Sequence, residues 1–188
     1  NKKIARIRSQ EFLEGKWSKL YNKSNLPIDV IISPEVEVAK SLFRRLEAPG
    51  ALDNVPFAEG KIKVLEIAVE KTCPVINLSL KNLTEKFPDF KANIVGTVRE
   101  GKFIFLKKTD KLLEGDKAYV VVSADQITQI LKAFGHEEKI AKKILIVGGG
   151  NIGLNLAKFL ETGFEGTRVK IIEKNKDRAE LIASELSS

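Results

Sequence analysis

Between residues 144 and 173 the chain places glycines and a carboxylate at spacings suited to holding a dinucleotide. Gly148, Gly150 and Gly153 follow the apolar run Ile144–Val147 in the order G-x-G-x-x-G. The first glycine permits a tight turn out of a strand, the second lets backbone approach a pyrophosphate, and the third lets a helix pack against that strand. Backbone N–H groups at the helix start, at Asn151 and Ile152, then meet the phosphate charge. Glu173 ends the next apolar run, Val169–Ile172, about 20 residues beyond Gly153. A carboxylate there accepts both ribose hydroxyls and repels a 2′-phosphate, which favours NAD over NADP.

The surrounding pattern predicts the elements that position these residues. Over 141–188 it reads as strand, helix (151–160), strand, helix (177–186). Residues 1–48 read the same way. Ile4–Ile7 is a short strand, and Ser9 is an N-cap for a helix over 11–21 that carries Trp17. Asp29–Ile32 is a buried-type strand. Ser33 as N-cap, Pro34 at the first helical position and Glu35 in the first turn open a helix that closes with Arg44 and Arg45. Consecutive βα units imply parallel strands and an α/β layer.

Residues 49–60, with Pro49, Gly50, Pro56 and Gly60, read as a linker, and 136–140 as a charged joint. Between them the periodicity changes to β, α, β, β, β, α, with a hairpin turn at Arg99–Lys102 and a further turn at Leu113–Asp116. The expected fold class is therefore α/β and α+β. Partial βα units over 1–48 and 141–188 flank a small α+β domain over 57–135. A full dinucleotide site needs both halves of a doubly wound sheet. With β-α-β-α alone after residue 140, and no methionine in the chain, the expectation is a central fragment of a tandem repeat.

Composition narrows the function classes. The chain has 188 residues, 43% hydrophobic and 30% charged, enough apolar content for a core. No apolar run approaches the roughly 20 residues of a membrane-spanning helix. One cysteine, Cys73, excludes an internal disulfide, and one histidine, His136, excludes a His-rich zinc site. The net charge of +7 comes from 32 basic and 25 acidic residues that are interspersed, as at Glu70-Lys71 and Glu85-Lys86. Such a mixed surface, without a basic stripe or an aromatic stacking set, argues against nucleic acid as partner.

The chain resembles the peripheral, Trk-type potassium-uptake regulators, built from repeated regulator-of-potassium-conductance (RCK) modules. Ile4–Arg8 resembles the fifth strand of the family's Rossmann lobe, and Asp29–Ala39 its sixth strand and final helix. Cys73–Ile76, Ile94–Gly101 and Glu114–Asp116 are similar to landmarks of the small C-terminal lobe. Ile146–Gly153 with Ile171–Glu173 resembles the opening of a second Rossmann lobe. The resemblance implies a cytoplasmic regulatory subunit at the inner face of the plasma membrane. It would bind NAD(H), or ATP/ADP, and gate an integral membrane potassium transporter. It also implies a dimer contact in the small lobe, and a homo-oligomer, dimer or tetramer, is expected through that lobe, the open edges of the partial sheets, or both. Arg6 and Arg8 would reach nucleotide phosphates or a neighbouring lobe, and Glu35 would lie near phosphates or a divalent ion at a lobe interface.

The rival is an NAD-dependent oxidoreductase, which needs a proton-transfer group poised beside the nicotinamide. His136, in the charged joint beside Glu137 and Glu138, reads as a solvated histidine. Cys73 reads as a small packed residue.

Overall fold

A computed structural model describes residues 2–7, 28–87 and 91–187. The chain divides into two compact units. One comprises Asn1–Phe43 with Ala141–Ser188, the other Arg44–Ile140. The expected N-cap Ser9, the helix over 11–21, Trp17 and Arg8 lie outside the described residues.

In the first unit, β1 (Ile4–Arg6) pairs in parallel with β2 (Val30–Ile32), and α1 (Pro34–Glu47) follows. Pro34 suits the first helical position because its missing N–H would have no intrahelical partner there. Glu35 and Glu37 in the first turn, and Arg44 and Arg45 in the last, complement the helix dipole. The Ser33 carbonyl accepts from Glu37 N (3.0 Å), as an N-cap carbonyl does. Its buried hydroxyl has no hydrogen-bond partner, so the expected side-chain cap does not form.

The second pair of βα units is β8 (Lys143–Val147), α4 (Asn151–Gly163), β9 (Arg168–Ile172) and α5 (Lys176–Glu185). β8 and β9 are parallel in continuous register from Lys143↔Arg168 to Val147↔Ile172. α4 buries Leu154, Leu156, Ala157 and Leu160. Phe43 of α1 stacks on Phe164 with ring centroids 5.0 Å apart, and its ring fills the space above Gly163, where any Cβ would clash with it.

The second unit is a five-stranded antiparallel sheet in the order β3-β4-β7-β5-β6. Its strands are β3 (Ala51–Phe57), β4 (Ile62–Ala68), β5 (Ala92–Arg99), β6 (Lys102–Phe105) and β7 (Lys117–Ser123). Helices α2 (Leu80–Lys86) and α3 (Ile127–Ala133) complete it. Leu65, Ile67, Val120, Leu112 and Ile130, all fully buried, form its core with Cys73 and Val75. α2 begins at Leu80 because the Ser79 hydroxyl caps it, accepting from Asn82 N. The hairpin expected at Arg99–Lys102 is present, with Glu100 and Gly101 both at positive φ.

The linker expected over 49–60 is corrected by β3, which pairs with β4 from Ala51↔Ile67 to Phe57↔Ile62. The small unit is thus β-β-α-β-β-β-α. Pro56 survives in β3 because an edge strand leaves one row of backbone groups unpaired, where the missing N–H costs nothing. Among the described residues, no helix is long and apolar enough to cross a membrane.

Candidate functional site

The glycine turn leaves β8 at Val147. Gly148 sits at φ +105°, a conformation that side chains disfavour, and its N–H donates to Ile172 O at 2.8 Å. This bond ties the turn to the end of β9. Gly153 packs so closely that a Cβ would clash with Gly148 O and lie 3.2 Å from Ile146 Cγ2. Gly150 occupies the N-cap of α4, and a Cβ there would meet no atom within 4 Å. One glycine turns, one packs and one leaves backbone open, the division of labour that the spacing implies.

Glu173 stands beside this turn. Its Oε1 accepts from Asn175 N at 2.9 Å and its Oε2 from Gly149 N at 2.8 Å. These two amides, Asn175 first, hold its carboxyl below the usual carboxylate range. A carboxylate has about four lone-pair sites, so two backbone bonds leave room for ribose hydroxyls.

Two further residues belong to the turn and were not singled out in the sequence. Gly149 fills the unassigned position of the motif, yet a Cβ there would clash with Ile182 Cδ1 and lie 3.1 Å from Glu173 Oε2. Arg178 donates from Nε to Gly149 O at 2.8 Å, and its Nη2 lies 3.4 Å from Asn151 Oδ1. Asn175 makes this reach possible. Its side chain caps α5 by accepting from Arg178 N at 2.9 Å, which places Arg178 in the first turn. An Asn three residues before an Arg, just past the strand acid, is the signal that was available.

A groove of about 440 Å³ opens over the turn, lined by Gly148, Gly150, Asn151, Ile152 and Gly153 together with Glu35 and Leu42. Glu35 Oε2 is buried without a hydrogen-bond partner in the structure. No group of three or more His, Cys, Asp or Glu side chains suited to a metal ion occurs among the described residues. Arg6 is exposed on β1 and is not among the groove-lining residues.

In the other unit, His136 lies with Nδ1 3.3 Å from Glu138 Oε1, and its ring packs over Gly50, whose Cβ would fall 2.6 Å from His136 Cγ. The histidine is therefore packed rather than solvated, with its side chain 15% exposed. Burial raises the Cys73 thiol above its ordinary pKa, as expected for a packed residue.

Known proteins agree with this architecture. The TrkA-C domain family matches residues 64–135 and the TrkA-N domain family residues 144–188. The Trk system potassium uptake protein TrkA of Azorhizobium caulinodans is 44% identical over 98% of this chain and 40% of its own length. The TrkA protein of Vibrio alginolyticus is 34% identical over 99% of the chain and 40% of its own. The chain thus spans about two-fifths of these relatives. Among solved structures, the GsuK RCK domain aligns with TM-score 0.46 and 17% identity over 92% of this chain and 35% of its own. The matched segments coincide with the antiparallel sheet of one unit and the glycine turn of the other, and the chain carries TrkA-C and TrkA-N family domains and is similar to TrkA proteins over nearly its whole length.

Proposed function

We propose that this chain is part of a cytoplasmic regulatory subunit of a potassium uptake system, which binds NAD(H) at the turn over residues 148–153 and gates an integral membrane potassium transporter. ATP or ADP is the alternative ligand, since both share the ribose and phosphates that the turn and Glu173 suit. The observation that carries this reading is the juxtaposition of a glycine turn, a helix N-terminus and Glu173 at the end of the adjacent parallel strand. The TrkA-C and TrkA-N domains and the similarity to Trk system potassium uptake proteins support the link to potassium uptake.

A nucleotide shifts a conformational equilibrium only by as much as its affinity differs between the two states. Gating therefore requires the turn to hold nucleotide better in one arrangement of the lobes than in another. The small unit supports self-association. Phe103 and Phe105 lie on one face of β6 and are 46% and 75% exposed, with Phe103 against Tyr119 at 5.5 Å. On the rival reading the chain would be an NAD-dependent oxidoreductase. His136, paired with Glu138 and packed on Gly50, is poorly placed as a proton-transfer group.

The test is calorimetry with NADH on the full-length protein, followed by assay for cofactor turnover. Binding without turnover is expected. Glu173→Ala should weaken NAD on the order of tenfold to a hundredfold, the loss of charge-assisted bonds worth about 1.5–3 kcal/mol. Unchanged affinity in that variant, or turnover of NADH, would sink the reading. Potassium flux through the partner transporter should differ with and without nucleotide.

A further inference from the structure

The peptide group of Gly149 is held at both ends. Its N–H donates to Glu173 Oε2 at 2.8 Å, and its C=O accepts from Arg178 Nε at 2.8 Å. No ligand is needed for either bond. From this clasp we infer that Arg178 is a positioning residue for the nucleotide pyrophosphate, acting through the glycine turn. The inference rests on the reading that this turn binds a dinucleotide.

The physical reason lies in what each backbone group would present to an anion. The first amides of α4 have no intrahelical acceptor and are the natural phosphate donors. A carbonyl in the same turn carries the opposite partial charge and would repel a phosphate if it rotated toward the ligand. The Arg178 guanidinium occupies the Gly149 carbonyl, which opposes that rotation. Its Nη2, 3.4 Å from Asn151 Oδ1, reaches the first residue of α4 as well, so one side chain spans both sides of Gly150. The steric fit of Gly149 against Ile182 keeps the turn seated on α5, the helix that carries Arg178.

Two carboxylate and guanidinium roles then separate by ligand moiety. Glu173 is the group suited to ribose hydroxyls, whereas Arg178 acts on the turn that receives phosphates. Lysine can replace one donor to the carbonyl but not the second reach to Asn151, because its ammonium is a single point on a flexible stem.

The experiment compares NAD, ADP and adenosine binding to the full-length protein and its Arg178→Ala, Arg178→Lys and Glu173→Ala variants. Arg178→Ala should weaken NAD and ADP about tenfold while adenosine changes by less than about twofold. Glu173→Ala should weaken all three, and Arg178→Lys should recover part of the loss for NAD and ADP. Amide hydrogen exchange over residues 148–152 of the nucleotide-free protein should accelerate on the order of tenfold in Arg178→Ala. NAD binding that survives Arg178→Ala, or adenosine weakened as much as NAD, would overturn this inference alone. Absence of NAD binding by the unaltered protein would overturn the functional reading and this inference with it. If Arg178→Ala proves unstable, the Lys variant decides: full NAD affinity with unchanged exchange would refute the two-sided clasp.

Discussion

Arg99 and Asp116 form a two-pronged ion pair, with Nε 2.8 Å from Oδ1 and Nη2 2.7 Å from Oδ2. The Asp116 side chain is fully buried, and Oδ2 also accepts from Leu113 N at 2.9 Å. Arg99 ends β5 and Asp116 immediately precedes β7, so the pair ties the hairpin to the turn over 113–116. Its bidentate geometry gives direction as well as strength.

Removing the arginine should cost far more than an exposed pair would. Arg99→Ala leaves a carboxylate buried without its charge partner, a loss of about 3 kcal/mol at the lower end for such pairs because the Arg99 side chain is 31% exposed. Urea denaturation followed by a probe in the small unit checks this. A loss under about 1 kcal/mol would show that the pair behaves like a surface contact.

The same pair sets a pH dependence. Burial alone would raise the Asp116 carboxyl, but the Arg99 hydrogen bond and the Leu113 amide outweigh it and hold the group below the usual carboxylate range. A carboxyl lower in the folded than in the unfolded chain contributes stability in full above its unfolded value. That contribution fades as pH falls below about 4 toward the depressed folded value. The unaltered protein should lose stability more steeply than Asp116→Asn over this window. Parallel urea midpoints for the two proteins between pH 5 and pH 3 would contradict it.

Two glycines of the turn should separate binding from folding. Gly150→Ala adds a methyl into open space at φ −67°, so thermal stability should hold within about 0.5 kcal/mol. NAD affinity should nevertheless fall at least about tenfold, because the methyl stands where backbone must approach the pyrophosphate. Gly153→Ala forces a clash with Gly148 O and crowds Ile146, and should lower stability and affinity together. Thermal scans paired with calorimetry distinguish the two, and equal stability losses would remove the distinction.

Glu35 lines the same groove as Gly148 and Gly150. A carboxylate there repels phosphate, so Glu35→Gln should tighten NAD by about twofold to tenfold in chelator-containing buffer. If the carboxylate instead recruits a divalent ion with the nucleotide, the same variant should weaken ATP binding in the presence of magnesium. Calorimetry with and without magnesium reads both effects, and no change in either buffer would place Glu35 outside the site.

The glycine turn was legible in the sequence because its constraints are local. Gly148, Gly150 and Gly153 answer to steric demands within one strand–turn–helix segment, and Glu173 lies at a chain distance set by one helix and one strand. Strand periodicity likewise located β4, β5 and β7, each of which buries one side against a core. β3 was hidden because Pro56 interrupts it and Pro49, Gly50 and Gly60 flank it, and only an edge position makes Pro56 acceptable in a strand.

Other features depend on neighbours that no local pattern specifies. Lys63, buried within β4, meets Glu47 of α1 at 3.0 Å, and the same carboxylate lies 3.3 Å from Asn54 Nδ2. In the sequence these are three ordinary polar residues. A side chain at Gly149 would have to displace Ile182, 33 positions away by number, whose Cδ1 occupies that space. Arg178 looked like one charged residue on an exposed helix until the parallel pairing of β8 and β9 brought the start of α5 to the turn. Local sterics and hydrophobic periodicity wrote the nucleotide motif and most strands into the chain. Long-range packing, which alone determines which polar groups meet when water is removed, decided how that motif is held.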